Sequence, residues 1–263
     1  MNLLAQEILK IAVLQIDLVW ENPQANREKI DRLLGQLPAG VDLVVLPEMF
    51  STGFTMNTRE VAEMMHGETV EWMKQRCHEH QIALCGSLNI IEDGHYYNRL
   101  LFVAPNANVC QYDKRHLFTM AGENNYFKAG KKRQIVQYKG WRICPLVCYD
   151  LRFPVWSRNQ NNFDLMIYVA NWPESRNEVW TTLLKARAIE NQSYLAGANR
   201  VGVDGNKISY CGNSLLIGPK GNILVSGKDS EECILTAEYS FEELLAFRSK
   251  FPVLNDADDF DLK

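Results

Sequence analysis

A cysteine and a glutamate of this chain each stand where an apolar run gives way to polar residues, a lysine follows an alternating stretch, and their chemistry would suit acyl transfer. In Arg142-Ile143-Cys144-Pro145-Leu146-Val147-Cys148-Tyr149-Asp150-Leu151-Arg152-Phe153-Pro154, the apolar run stops on Cys148. This reads as a buried strand delivering the thiol to a sharp turn. Rigid backbone would hold the sulfur there, and successive N–H groups of the turn could face an oxyanion. Taken alone, Cys148 reads equally well as a core cysteine, which packs as a small hydrophobe.

Asp42-Leu43-Val44-Val45-Leu46 is short and almost wholly apolar, as expected of a strand buried on both faces, and it ends at Pro47-Glu48. A carboxylate at the mouth of such a strand is poorly solvated, a setting suited to a general base. Lys114, in Tyr112-Asp113-Lys114-Arg115-His116-Leu117-Phe118, follows the alternating stretch from Asn108 to Tyr112. It would bring a fixed positive charge to developing negative charge. Separately, Glu48 could be a solvated loop acid and Lys114 a surface lysine.

The elements that must position these groups alternate short apolar strands with amphipathic helices. The first strand is Lys10-Ile11-Ala12-Val13-Leu14-Gln15. Asn22-Pro23 opens a helix through Leu34, with Ile30, Leu33, Leu34 and Leu37 at helical spacing. Gly67-Glu68 opens another, carrying Val70, Met73 and Cys77. Strands over residues 82–90 and 97–104 flank a turn at Glu92-Asp93-Gly94, and residues 164–170 form a buried strand. Ser175 and Glu178 fit a capping box at the start of a helix through Ala188, on which Arg187 and Glu190 read as an ion pair. Final strands run from about Tyr194 to Ala237, broken at Asp204-Gly205 and Pro219-Lys220-Gly221-Asn222. The tail from Phe251, with Asp256, Asp258, Asp259 and Asp261, reads as a solvated terminus.

A chain of 263 residues with 46% hydrophobic and 23% charged residues suits one globular α/β domain, residues 1–263, with the tail from about 251 appended. Net charge is −4 without a basic tract, so nucleic acid is not an expected partner. The opening Met1-Asn2-Leu3-Leu4-Ala5-Gln6-Glu7 has no basic region or apolar core of signal-peptide type, and no run approaches a membrane span. Seven cysteines without regular spacing argue against a disulfide framework and for a reducing, cytoplasmic setting. Cys144, Cys148 and His116, or Cys77, His78 and His80, lack paired zinc-ligand spacing, so no metal and no cofactor is expected.

Pro47-Glu48, the Lys114 block and Cys148-Tyr149-Asp150-Leu151-Arg152-Phe153-Pro154 together resemble, in order and spacing, the three signature blocks of the nitrilase (carbon–nitrogen hydrolase) superfamily. The likeness runs from the first strand to Gly212-Asn213-Ser214 and the last strands. It implies a four-layer α-β-β-α sandwich and a homodimer with the C-terminal region packed across its interface. It also implies roles: Cys148 as nucleophile, Glu48 as general base and then acid, Lys114 and the Tyr149 N–H as oxyanion partners, and Glu123 as the second glutamate orienting Lys114. Glu123 could otherwise be a surface loop acid.

Within the superfamily the Cys148 block and Asn171-Trp172-Pro173 resemble the omega-amidases, which hydrolyse the terminal amide of 2-oxoglutaramate or 2-oxosuccinamate. Val155 departs from the pattern, since many relatives carry glutamate there. A small-molecule amide with a distal carboxylate needs a cationic partner, for which Arg152 and Arg200 are candidates by residue type. Phe54, Phe127 and Trp172 would form an apolar wall or belong to the core. The alternatives are another small-amide hydrolase (deaminated-glutathione amidase or carbamoyl-amine hydrolase), a non-catalytic binding module, and a thiol redox protein using Cys144 and Cys148. The last lacks a C-x-x-C pattern.

Overall fold

Period-two alternation along the first strands divides their side chains between two cores. A computed structural model describes residues 6–258, 260 and 261. Met1 to Ala5 of the opening segment and Asp259 of the acidic tail lie outside the described residues. β1 (Ile8–Gln15) leads through α1 (Pro23–Leu34) to β2 (Leu43–Val45), then past the single turn α2 (Thr58–Val61) into α3 (Glu68–His80) and β3 (Ala83–Glu92). β4 (His95–Val103) and β5 (Val109–Asp113) return as antiparallel neighbours. Ile11, Val13, Leu43, Val45, Ala83 and Cys85 face the core between the sheets, whereas Ala12, Leu14, Val44 and Leu84 join Ile30, Val70, Met73 and Cys77 under α1 and α3.

The second half repeats the arrangement. β6 (Val136–Tyr138), β7 (Trp141–Val147), the turn α4 (Pro154–Ser157), β8 (Leu165–Ala170), α5 (Asn177–Glu190) and β9 (Tyr194–Asn199) follow in sequence. A ribbon of β10 (Val201–Val203) and β11 (Ser209–Cys211) precedes β12 (Leu215–Ile217) and β13 (Ile223–Ser226). β14 (Cys233–Ser240) then pairs with β1, and α6 (Phe241–Lys250) follows. The sheet orders are β14-β1-β2-β3-β4-β5 and β13-β12-β9-β8-β7-β6. Trp180, Leu184 and Ala188 of α5 pack on the second sheet. The four layers are therefore those implied by the sequence resemblance.

Strand direction decides where the polar chemistry gathers. β2, β3 and β5 point the same way in one sheet, as do β7, β8 and β9 in the other. Glu48 lies just past β2, Lys114 follows β5, Cys148 follows β7, Asn171 follows β8, and Asn199 ends β9. All come from carboxyl ends of strands, where open α/β sheets place their ligands.

Two helix starts differ from the sequence expectation. The Ser175–Glu178 capping box is not formed: residues 174–176 make a 3₁₀ turn, and α5 begins at Asn177 after Arg176, which gives no side-chain cap. The tight turn after Pro173 uses the residues that would have capped the helix. Conversely, α6 was absent from the expected elements, yet Ser240 Oγ accepts from the Glu243 N–H at 3.2 Å. The S-x-x-E signal was present there. At Asn22 the expectation holds, its side chain accepting from Ala25 N at 3.0 Å with Pro23 at the first helical position.

The lysine segment is clamped at Gly130, whose N–H donates to the Lys114 carbonyl at 2.9 Å. A Cβ at Gly130 would lie 2.0 Å from the Asp113 carbonyl oxygen. Gly130→Ala should therefore lower stability by about 1–3 kcal/mol, the usual cost of overpacking, and displace Lys114. Urea denaturation with activity assays checks this; an unchanged midpoint and activity would mean that the segment yields freely.

Candidate active site

Two buried carboxylates share one buried ammonium. Lys114 Nζ lies 2.8 Å from Glu48 Oε1 and 3.1 and 3.0 Å from the two Glu123 oxygens, and all three side chains are fully buried. Burial opposes the lysine's charge, but Glu123 and Glu48 outweigh it and hold Lys114 above its ordinary pKa. For Glu123, burial pushes the pKa upward; Lys114 opposes this and Glu48 reinforces it, leaving a net rise. The Asn98 amide completes the cluster, donating to Glu48 Oε1 at 2.8 Å and Glu123 Oε1 at 3.1 Å. Asn171 N donates to Glu48 Oε2 at 2.9 Å, and the Phe118 N–H to Glu123 Oε2 at 2.5 Å. These donors compensate groups that water cannot reach.

Cys148 adopts φ +44°, a left-handed conformation costly for a residue with a Cβ. It opens the 3₁₀ turn Cys148–Arg152, whose first N–H groups have no partner within the turn. Asp150 holds that turn, accepting from Val147 N at 3.1 Å, Tyr112 Oη at 2.7 Å and both the N–H and Nδ1 of His116 at 3.0 and 2.7 Å. The His116 ring stacks on Phe153 with centroids 3.8 Å apart. From the other side, Arg187 donates to Leu151 O at 2.6 Å while pairing with Glu190 at 2.9 Å, as read from the helix.

Burial pushes the Cys148 thiol well above its ordinary pKa. The Glu48 charge, and the hydrogen bond that Glu48 accepts from the thiol, push in the same direction; Lys114 opposes them. The resting sulfur is thus a neutral thiol beside a carboxylate, an arrangement in which proton transfer would accompany nucleophilic attack.

These groups line a cavity of about 110 Å³. Glu48, Lys114 and Cys148 come together there, with Phe54, Tyr149, Arg152 and Trp172 also on its wall. Phe54 lies under Lys114, with Nζ 5.1 Å from the ring centroid. Glu123 stands behind Lys114 rather than on the wall. Two sequence candidates require correction. Phe127 is buried outside the lining, where its chain bridges Tyr96. Arg200 pairs with Asp17 at 2.7 Å and stacks behind Tyr210, so it does not face a ligand. Val155 is exposed and outside the lining, so this departure from the family pattern leaves the pocket wall untouched.

Asn98 and Arg176 escaped the sequence reading. Asn98 is one polar residue within the half-apolar strand β4, and nothing local distinguishes it from a surface position. Arg176 was hidden by the expected capping box. Among the described residues, no cluster of three or more histidine, cysteine, aspartate or glutamate side chains could hold a metal. Cys144 and Cys77 are core residues, both with thiol pKa values pushed up to about 12 by burial.

The carbon–nitrogen hydrolase sequence profile matches residues 10–249. An omega-amidase YafV from Yersinia enterocolitica is 47% identical over 252 residues, covering 96% of this chain and 98% of its own. The 2-oxoglutaramate amidase of Bacillus subtilis is 31% identical, covering 94% of this chain and 96% of its own. A Xanthomonas campestris protein of the CN-hydrolase superfamily, solved with an arsenic adduct in its active site, superposes with a TM-score of 0.95 at 41% identity, covering 98% of this chain and 100% of its own.

Asn98→Leu keeps the approximate volume and removes the shared donor. It should lower kcat by about 10- to 100-fold, the equivalent of one or two charge-assisted hydrogen bonds, with a smaller change in KM. Steady-state kinetics tests this, and wild-type kcat would make Asn98 a bystander. Glu48→Gln should shift alkylation of Cys148 toward lower pH, because a group that raises the thiol pKa is removed while Lys114 remains. Mass-spectrometric alkylation rates across pH would reveal an opposite or absent shift.

Proposed function

Since the chain belongs to the carbon–nitrogen hydrolase family and is an amide-hydrolysing enzyme, we propose that it is an omega-amidase. It would cleave the terminal amide of 2-oxoglutaramate or 2-oxosuccinamate to the acid and ammonia. The observation that carries this reading is the convergence of Cys148, Glu48 and Lys114 in one small cavity. The cavity suits a short molecule better than a peptide-like amide, which weighs against deaminated glutathione. The names of the Yersinia and Bacillus relatives support the same substrate class.

In the mechanism we infer, Cys148 Sγ attacks the amide carbon while its proton passes to Glu48. Negative charge grows on the carbonyl oxygen. The Lys114 ammonium and the Tyr149 N–H stabilise that charge where water is excluded. The tetrahedral intermediate collapses as Glu48 returns the proton to nitrogen; the C–N bond breaks, and ammonia leaves a thioester on Cys148. Glu48 then takes a proton from water, whose oxygen attacks the thioester carbon. The C–S bond breaks, the acid departs and the thiol recovers its proton. Glu123 and Asn98 hold Lys114 and Glu48 in register.

The same reading takes residues 1–263 as one domain, supported by β14 returning to pair with β1. It also places the enzyme in the cytoplasm as a homodimer. Its free cysteines agree with a reducing compartment, and no helix among the described residues is long and apolar enough to cross a membrane.

Cys148→Ala should abolish ammonia release from 2-oxoglutaramate while leaving the folded circular-dichroism spectrum intact; turnover by the folded variant would remove the mechanism. Lys114→Met should lose about 3 kcal/mol or more of transition-state stabilisation. It should also lose about 3–5 kcal/mol of folding stability, because two carboxylates would remain buried together. Wild-type values of both quantities would refute its assigned place.

Across a panel of amides and nitriles, the two 2-oxo acid amides should show the highest kcat/KM. Preference for a nitrile or a long amide would overturn the substrate but not the chemistry. Prolonged chelation should leave turnover unchanged, and loss restored by a divalent ion would point to metal catalysis.

A further inference from the structure

The charged groups of the cavity are unequally satisfied. Its carboxylates are engaged: Glu48 accepts from Lys114, Asn98 and Asn171, while Asp204 accepts from the Asn206 and Ile208 N–H groups at 2.8 and 3.0 Å and from Tyr210 Oη at 2.9 Å. Its other two cations have no such partners. Arg152 and Arg176 both line the wall, half-buried, and neither pairs with a carboxylate among the described residues. Each guanidinium lies against an aromatic face, Arg152 over Trp172 at 5.1 Å and Arg176 over Phe118 at 5.2 Å. The two are linked through Trp172, whose Nε1 donates to Arg176 O at 2.9 Å.

Two cations on the wall of one partly desolvated cavity repel, and a bound anion would offset that cost. The cavity is therefore polarised: Glu48, beside Cys148, is engaged by internal donors, whereas the cations of the arginine wall pair with no carboxylate among the described residues.

We propose that Arg176, acting with Arg152, is the specificity-determining anion clamp of this enzyme. It selects short amides that carry a carboxylate at the end opposite the scissile bond. The planar fork of a guanidinium matches a carboxylate in a bidentate manner. Stacking on Phe118 keeps that fork oriented before the ligand arrives. This rests on the amidase reading of the site and adds which residue reads the substrate's far end.

Two measurements test it. In the first, kcat/KM for 2-oxoglutaramate is divided by that for its methyl ester. Arg176→Gln should reduce this ratio by about 10- to 100-fold, mainly through KM, with Arg176→Lys intermediate because it keeps the charge and loses the fork. In the second, 2-oxoglutarate and its dimethyl ester are titrated calorimetrically into the Cys148→Ala protein, with and without Arg176→Gln. Here too the dianion should lose affinity by about 10- to 100-fold and the ester less.

An unchanged ratio, equal losses for charged and uncharged ligands, or failure of the Cys148→Ala protein to bind the dianion would each overturn the clamp. If wild type ignores 2-oxoglutaramate yet Cys148→Ala protein binds the dianion through Arg176, the omega-amidase substrate falls and the clamp stands.

Discussion

Everything in the site depends on one lysine ammonium held between two carboxylates out of reach of water. Glu48 and Glu123 flank Lys114 in a place where an unpaired ion is costly. Asn98, Asn171 and the Phe118 backbone supply the further donors that make the cluster tolerable. Because each donor serves a particular oxygen, the cluster fixes orientation as well as charge. The loops after β2, β5 and β8 thereby acquire a shared geometry that none could hold alone.

That rigidity allows the second sheet to present a strained turn to the first. The positive φ at Cys148 is unfavourable in isolation and persists because Asp150 and Arg187 hold the following residues from two directions. Asp150 reaches Tyr112 and His116, on either side of Lys114, so one carboxylate links the thiol's turn to the lysine's loop. The Cys148 thiol and the Lys114 ammonium are registered against each other by Asp150, a residue that does not line the cavity.

The same economy explains the cavity's polarity. Carboxylates near the thiol are consumed by internal donors, and Asp204 serves the turn of the β10–β11 ribbon. Arg152 and Arg176 have only aromatic faces. What a ligand meets is therefore set less by which charged residues are present than by which of them the fold has already satisfied.

The chain's own order announced much of this. Apolar runs ending at Glu48 and Cys148 and an alternating stretch before Lys114 marked strand ends, near-continuous apolar runs marked strands covered on both faces, and a helical ion pair was legible at Arg187 and Glu190. Local reasoning failed where two local signals competed or where none existed. Ser175 and Glu178 carry the same capping pattern as Ser240 and Glu243, yet only the latter start a helix with that cap, because the turn after Pro173 takes the first pair. Asn98, Arg176, Phe127 and Arg200 have no signature that separates pocket from core or wall. Their places follow from strands distant in sequence packing side by side, and from which partner reaches each polar group first. Residue types and hydrophobic patterning were enough to read the candidate reactive groups and the elements that carry them; which charges pair with one another was settled by the folded chain, since pairing depends on contacts between residues far apart along it.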